Sequence, residues 1–306
     1  MKRNGVEWIR LPVYWYEVEP REGDFRFEKL DSMVGAASAA GLEVMPVVLG
    51  TPDWAAEPPF GLDAHPSSPT TYGRFLSVLA DRYGKDGSFW QGDMRPAVPV
   101  RRWQIWNEPD LPKYWRRDAN GWAQSYVKLL RESHDQLRSS DRSAIVVLAG
   151  LSNFSWRSLR KIYRAGGRRV FDVAAFHPFT ARVEGVIEII RRSRAVMRRS
   201  GDSSKPLMVS EVSWSSGKGL ATLNYGWETT EQGQARRVAE VITALAERRS
   251  AYGIQSFAWA TWLSPEIGSP YSFDYSGLNR MSTGVPVAKP ALSSYRKSMM
   301  RVARRH

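Results

Sequence analysis

The chain reads Val100-Arg-Arg-Trp-Gln-Ile-Trp106-Asn107-Glu108-Pro109 at the point where an apolar run gives way to a loop. Such a run is typical of a buried strand, and a carboxylate at its end is held by rigid backbone yet open to a ligand. Asn107 stands beside this acid and can hydrogen-bond a hydroxyl group of that ligand. The stretch therefore predicts a strand covered on both faces, with Glu108 at the mouth of a site.

A second apolar run, Lys205-Pro-Leu-Met-Val-Ser-Glu211, also ends in a glutamate. Two carboxylates at strand ends indicate a general acid/base and a nucleophile working as a pair, the arrangement that glycoside hydrolysis requires. Each glutamate taken alone is equally consistent with a solvated residue at the end of a strand. The pair, rather than either acid, carries the functional hypothesis.

Short β-rich runs alternate with helical segments along nearly all of the 306 residues, which is the pattern of a parallel sheet built from βα units. No Gly/Ser-rich linker divides the chain, so we expect one (β/α) barrel domain over residues 1–306. The predicted strands cover 6–13, 43–49, 100–106, 144–149, 171–176, 207–210 and 254–260.

Helices are predicted between these strands from their apolar periodicity and their end signals. Gly41 fits a left-handed cap, and Thr229 or Thr230 is a suitable N-cap. The predicted helices cover 27–40, 70–83, 122–138, 183–199, 230–248 and 287–302. In a closed barrel the loops that follow the strands share one face, where sites are built. These loops are long and aromatic, and they cover 15–25, 51–69, 109–121, 212–228 and 261–286.

The composition is that of a globular protein, with 42% hydrophobic and 25% charged residues. The absence of cysteine excludes disulfides, thiolate metal sites and a cysteine nucleophile. The four histidines, His65, His134, His177 and His306, have no metal-ligand spacing, and we expect neither a metal nor another cofactor.

The formal net charge of +13 would suit an acidic partner such as nucleic acid, an anionic membrane or an acidic polysaccharide. Its distribution argues against nucleic acid, because the densest clusters fall on predicted amphipathic helices and are expected to be their solvated outer faces. These clusters are Arg191-Arg192-Ser-Arg194 with Arg198-Arg199, Arg236-Arg237, Arg248-Arg249 and residues 301–305.

No stretch approaches the ~20 apolar residues of a membrane span. Residues 1–5 lead into the first predicted strand without the hydrophobic core of a signal peptide. The sequence as it stands predicts a soluble, cytoplasmic protein, and a natural start further upstream would instead allow secretion. It carries no information on the oligomeric state.

Taken together, the motifs resemble clan A of the retaining glycoside hydrolases, and most closely family 39, the group of β-xylosidases, iduronidases and bacterial exopolysaccharide hydrolases. The resemblance covers almost the whole chain, with the motifs in the same order and at the same strand ends. It implies a (β/α)8 TIM barrel that cleaves β-glycosidic bonds of an oligo- or polysaccharide. The matching pieces are Gly5-Val-Glu-Trp-Ile-Arg10-Leu-Pro-Val-Tyr-Trp15, Val18-Glu-Pro-Arg-Glu-Gly23, residues 42–54, Trp106-Asn-Glu-Pro109, His177-Pro-Phe179, Ser210-Glu211, Trp262 and residues 277–290.

The resemblance also implies roles for individual residues. Glu108 would be the general acid/base and Glu211 the nucleophile, so that the reaction would retain anomeric configuration. Asn107 would hold the hydroxyl next to the reacting carbon, and Arg10 would sit beneath Glu211 and help keep it ionised, which is also what a structural ion pair would do. His177 would line the sugar subsite or support it from behind.

Three tryptophans complete the predicted substrate-binding set. Trp262 would form the aromatic floor beneath the sugar ring, with an ordinary core tryptophan as the alternative. Trp15 and Trp54 occupy loop-side positions and would flank the cleft, although some of the 13 tryptophans must serve packing alone.

The chain departs from the family pattern at two points. A tyrosine that donates to the nucleophile often stands two residues after the histidine, and here that position is Phe179, which leaves Tyr14 or Tyr225 as substitutes. The first β-strand is missing before the segment 6–13, so seven strands are predicted where eight are needed. A later segment, a partner or an upstream stretch would have to fill the gap, because unpaired strand edges are costly.

Three hypotheses follow. The first is a retaining glycosidase, and the second is a carbohydrate-binding barrel that has lost turnover through Phe179 or the missing strand. The third is a basic scaffold for nucleic acid, whose affinity would fall steeply with salt.

Overall fold

The computed structural model describes residues 1–61, 63–91, 97–116 and 121–304. Parts of the loops predicted over 51–69 and 109–121 lie outside the described residues, as do Arg305 and His306.

Seven strands form one continuous parallel sheet in sequence order within the described residues. Isolated bridges from Val147 to Val173 and from Leu151 to Phe176 join its two halves. The strands are β1 (Trp8–Tyr14), β2 (Glu43–Leu49), β3 (Arg102–Ile105), β4 (Ile145–Val147), β5 (Ala174–Phe176), β6 (Leu207–Val212) and β7 (Ile254–Trp259). Each of the seven overlaps the strand predicted for it.

The longer helices bury one apolar face each against the outside of this sheet, whereas the four-residue helix at 249–252 has no buried residue. Thr230 accepts a hydrogen bond from the amide of Gly233 and is therefore the N-cap, and Gly41 has φ +66°, as its predicted left-handed cap requires. The helices are α1 (Trp15–Val18), α2 (Glu28–Ala39), α3 (Pro69–Tyr83), α4 (Trp122–Ser140), α5 (Ser155–Arg164), α6 (Val183–Arg199), α7 (Glu231–Glu247), α8 (Arg249–Tyr252) and α9 (Pro290–Ala303).

The last predicted helix begins later than residue 287. Strand β10 (Val285–Ala288) pairs antiparallel with β9 (Asn279–Ser282), and β9 pairs with the short strand β8 (Leu263–Ser264). The two residues that turn this hairpin, Thr283 and Gly284, both have positive φ, as a tight hairpin turn requires. Helix α9 starts only at Pro290, which is favoured in the first helical turn because it needs no amide partner there.

The barrel is open between β1 and β7. Among the described residues no strand pairs with the outer edge of either, which confirms the predicted absence of one strand. A groove of about 780 Å³ lies there. Its outer wall is apolar and comes from α7 and α9, through Ile242, Leu245, Tyr295 and Met299, whereas Arg10 and Glu211 reach it from inside the barrel.

Most of the arginine clusters lie on solvated outer faces of helices, as predicted. Arg191 and Arg192, for example, both pair with Glu188 on the exposed face of α6. Arg194 is an exception, because it is buried and donates to the carbonyl oxygens of Tyr252 and Lys205. It ties α6 to the segments before β6 and β7. None of the helices among the described residues combines the length and the apolar character that a bilayer crossing requires.

Candidate active site

Glu108 is placed by an unusual turn at the end of β3. Trp106 has φ +68° and Glu108 has φ +42°, a region that side chains other than glycine seldom occupy. The Glu108 amide donates to the Gly150 carbonyl at 3.2 Å, and the Trp106 amide donates to Val48 O at 3.0 Å. Strained backbone of this kind is concentrated at functional sites. Here it turns the Glu108 side chain, which is 13% exposed, toward the barrel mouth.

Glu211 lies within β6, at a β-bulge. Val209 is opposite Phe257 and Val212 is opposite Trp259, so β6 carries one more residue than β7 over this interval. Met208 and Ser210 face the barrel interior, and strict alternation would send Glu211 to the opposite face. The bulge instead brings its carboxylate back to the interior.

Arg10 connects Glu211 with Asn107. It donates from Nη1 to Glu211 Oε1 at 2.5 Å, from Nη2 to Asn107 Oδ1 at 2.7 Å and from Nε to Gln104 Oε1 at 2.7 Å. A guanidinium presents its donors in a rigid fork, so these three contacts fix the relative positions of strands β1, β3 and β6. The placement of Arg10 beneath Glu211 agrees with the role expected from the sequence.

Gln104 is a neighbour of the candidate site that the sequence did not single out, and it contacts Ser210, which precedes Glu211. Gln104 is fully buried, and its amide nitrogen donates to Leu148 O at 3.1 Å and to Ser210 Oγ at 3.3 Å. Its oxygen can therefore accept from Arg10 without leaving a buried donor unsatisfied. The signal in the sequence was a glutamine between two large apolar residues of the predicted strand, Trp103 and Ile105.

His177 lies between the two carboxylates. Its Nδ1 is 3.0 Å from Glu108 Oε1, and its Nε2 is 3.7 Å from Glu211 Oε1, which is too long for a hydrogen bond. The ring is fully buried, so it supports the carboxylates from behind and does not line the cleft. Gly150 makes this possible, because a Cβ there would lie 1.8 Å from His177 Nε2.

One imidazole ring spans both contacts, so the two Oε1 atoms are at most roughly 9 Å apart. This upper limit admits the separations of both retaining and inverting carboxylate pairs in glycosidases.

Tyr114 is a tyrosine whose pKa responds to the charges of both Glu108 and Glu211. Burial, followed by the charges of Glu108 and Glu211, raises the pKa of Tyr114 to about 12. The loop that carries it is anchored by Trp106, whose indole donates to the Tyr114 carbonyl at 2.7 Å. Phe179 is 8% exposed and its ring centroid lies 6.4 Å from that of His177, so an apolar ring occupies the position where the family often has a phenol.

Trp262 lies at the mouth end of the open groove that Arg10 and Glu211 also line. It is half-buried, and its carbonyl accepts from the backbone and side-chain amides of Asn279. Its contact with a sugar ring stays a prediction.

The prediction that Trp15 flanks the cleft is wrong. Trp15 begins α1 and turns inward, where it is fully buried, stacks on Phe75 and donates to Glu19 Oε2 at 2.7 Å. Trp54 packs edge-on against Trp15 and donates to the Glu19 carbonyl at 3.1 Å. It is half-buried, and its contact with substrate stays a prediction.

Within the described ranges, no group of three or more histidine, aspartate or glutamate side chains is arranged to hold a metal ion.

The N-terminal part of the chain has a sequence similarity to a known family. The profile of Glyco_hydro_42, described as beta-galactosidase, matches residues 1–74. No curated protein matches the chain.

Solved structures of glycoside hydrolases share the fold over nearly the whole chain. GH5_18 from Streptomyces cattleya superposes with a TM-score of 0.72 at 14% identity, covering 99% of this chain and 73% of that one. The Ignisphaera aggregans GH53 catalytic domain gives a TM-score of 0.65 at 19% identity, covering 97% and 86%. A GH39 beta-xylosidase from Caulobacter crescentus gives 0.66 at 18% identity, covering 96% and 64%, so this chain spans less than two thirds of that enzyme.

The fold is therefore the (β/α) barrel of these glycoside hydrolases, with one strand position open. The predicted resemblance is confirmed, and family 39 enzymes are among the structural neighbours.

Proposed function

We propose that this protein is a retaining glycoside hydrolase that cleaves β-glycosidic bonds of an oligo- or polysaccharide. The observation that carries the proposal is the joint placement of Glu108 and Glu211 around His177, with Arg10 bonded to Glu211. Similarity of residues 1–74 to the beta-galactosidase family supports the same reaction class.

Each carboxylate has surroundings that suit its proposed role. Arg10 donates to Glu211 Oε1 at 2.5 Å, which holds this carboxylate in a fixed orientation for attack. Glu108 has no arginine or lysine partner among the ion pairs of the described residues, and its contact is His177, which can exchange a hydrogen bond with it in either protonation state. Glu108 would protonate the leaving oxygen and then activate water.

Asn107 is oriented for the substrate by the same arginine. Its Oδ1 accepts from Arg10 at 2.7 Å, so the amide nitrogen is the part of the side chain that can donate to a ligand. We propose that this NH2 group binds the hydroxyl next to the reacting carbon, while Trp262 covers one face of the sugar ring.

The test is hydrolysis of a panel of aryl β-glycosides. We expect Glu108→Gln to lower kcat by roughly 10²–10⁴-fold, the usual contribution of acid/base catalysis. Glu211→Gln removes the nucleophile and should lower kcat at least as much, because the covalent intermediate can no longer form. Azide should restore turnover of Glu211→Gly and give a glycosyl azide of inverted configuration, because the small anion attacks from the vacated nucleophile's face. Glu240→Gln is the matched control, since Glu240 pairs only with Arg237 on the surface in the described structure.

Full activity of either site variant would contradict the assignment. A second candidate is a carbohydrate-binding barrel without turnover, which Phe179 and the open groove beside Glu211 favour. Binding of oligosaccharide by the unaltered protein, with no hydrolysis in any of these assays, would establish that alternative.

A further inference from the structure

Exposed apolar side chains are concentrated on two loops at the barrel mouth. Among the described residues, six of the thirteen exposed large apolar side chains lie there. Surface patches of this kind mark binding sites more often than chance exposure does. The six are Leu220, Leu223, Tyr225, Ile267, Tyr271 and Phe273.

The two loops hold each other in place through their backbones. Leu223 donates to the Pro270 carbonyl at 2.8 Å and accepts from the Ser272 amide at 3.2 Å. The carboxylate of Glu228 accepts from the amides of Tyr225 and Gly226, at 2.7 and 2.9 Å. The exposed rings therefore stand on a backbone that is already ordered, which lowers the entropy lost on binding a ligand.

The rings form a stack that starts at the candidate active site. Trp227 stacks on Phe179 with centroids 5.6 Å apart and on Tyr225 at 6.2 Å, and Phe273 meets these rings edge-on. We call Tyr225, Trp227 and Phe273 the aromatic ridge. Trp227 is covered, whereas Tyr225 is 59% exposed and Phe273 39% exposed. One face of Tyr225 rests on Trp227, so its other face is open to a ligand.

Buried ring packing connects the ridge with the carboxylate pair from behind the cleft. Phe179, at its inner end, is 6.4 Å from the His177 ring, and His177 contacts Glu108. A sugar ring has an apolar C–H face and a rim of hydroxyls, so it can cover an exposed aromatic ring while its hydroxyls stay in water.

We propose that the aromatic ridge binds sugar units of a carbohydrate chain beyond those held between Glu108 and Glu211. This proposal rests on the proposed function and narrows its substrate to chains longer than a disaccharide. The ridge rings carry no charge, so the bound units are recognised by their C–H faces.

The experiment compares chain lengths. Tyr225→Ala, Phe273→Ala and the double variant are assayed with an aryl β-glycoside and with β-linked xylo- and galacto-oligosaccharides of two to six units. We expect kcat/KM on the longer chains to fall roughly tenfold per ring removed. Turnover of the aryl glycoside by Phe273→Ala should stay unchanged. Phe154→Ala is the matched control, because Phe154 is an equally exposed ring that packs on Trp156, outside the ridge.

Equal kcat/KM of the unaltered protein and the ridge variants on long chains would overturn the proposal, as would a parallel loss on the aryl glycoside. A change from dimer to monomer on substitution, measured by light scattering, would assign the ridge to self-association instead. Failure of the proposed function looks different, because the unaltered protein would then turn over no aryl glycoside at all. In that case the affinities of the unaltered protein and the ridge variants for the oligosaccharides of two to six units, measured by calorimetry, test the role of the ridge.

Discussion

His177 joins the two candidate catalytic carboxylates through one imidazole ring. Its Nδ1 is bonded to Glu108, and its buried Nε2 has no hydrogen-bond partner, facing Glu211 at 3.7 Å. A small displacement of this ring would change both distances together. The position of the ring is in turn set by Gly150, where the backbone of the segment after β4 approaches Nε2 directly.

We predict that Gly150→Ala lowers kcat/KM on an aryl glycoside by about a hundredfold or more, because misplacing a catalytic group by about 1 Å has effects of this size. The added Cβ would lie 1.8 Å from Nε2 and must push the ring away. Gly61→Ala is the matched control, since its Cβ would meet only a flexible carboxylate oxygen of Asp63 at 3.1 Å. Unchanged activity of Gly150→Ala would show that the ring position does not matter.

The sequence was sufficient to predict a strand or helix wherever a local pattern of apolar residues determines that element. All seven barrel strands were predicted, since a strand buried on both faces must be continuously apolar. Helix α5 was missed because its buried face holds only two apolar residues, Leu159 and Ile162, beside Ser155 and Ser158. The start of α9 was misplaced because the valines at 285 and 287 belong to a hairpin whose partner strand fixes them.

The site was predictable in its residue types and less so in its geometry. Glu108, Glu211, Arg10 and His177 converge as expected. The bulge that turns Glu211 inward depends on pairing with β7, and the burial of Trp15 depends on Phe75, which is far away in sequence. Such contacts between distant segments have no local signature.

We predict that Lys289, at the start of α9, stabilises the loops at the barrel mouth. It precedes α9, and its buried ammonium donates to Ser216 Oγ at 2.8 Å, Glu266 Oε1 at 2.7 Å and Tyr275 O at 2.9 Å. Burial lowers the pKa of Lys289, and the ion pair with Glu266 opposes that shift. The lysine thereby ties α9 to the loops that carry Ser216 and Tyr275.

We expect Lys289→Met to lower the free energy of unfolding by about 3 kcal/mol, because it leaves Glu266 without its cation in a largely buried site. In a double-mutant cycle with Glu266→Gln, urea titrations should show a coupling of at least about 1 kcal/mol. The control is Arg237→Met, whose ion pair with Glu240 is exposed and should contribute less than about 1 kcal/mol. Additive effects at 289 and 266 would contradict this account.

The opening between β1 and β7 is the main difference between this molecule and a closed barrel. The other strands of the barrel sheet are paired on both sides, whereas these two are each paired on one side within the described residues. The groove also reaches the candidate active site, since Arg10 and Glu211 line it. The strand edges and Arg10 therefore share one region of solvent access.

We predict that this opening appears in amide hydrogen exchange. Alternate amides of β1 bond to β2 and alternate amides of β7 bond to β6, and the remaining amides of both strands face the groove. About half of the amides in β1 and β7 should therefore exchange through small local openings, while those of β3 and β4 should require near-global unfolding. Exchange followed by mass spectrometry, with fragments that separate these strands, measures the contrast. Equal protection of β1, β7 and the central strands would show that an eighth strand pairs with both edges in solution, because only backbone pairing satisfies the groove-facing amides without water.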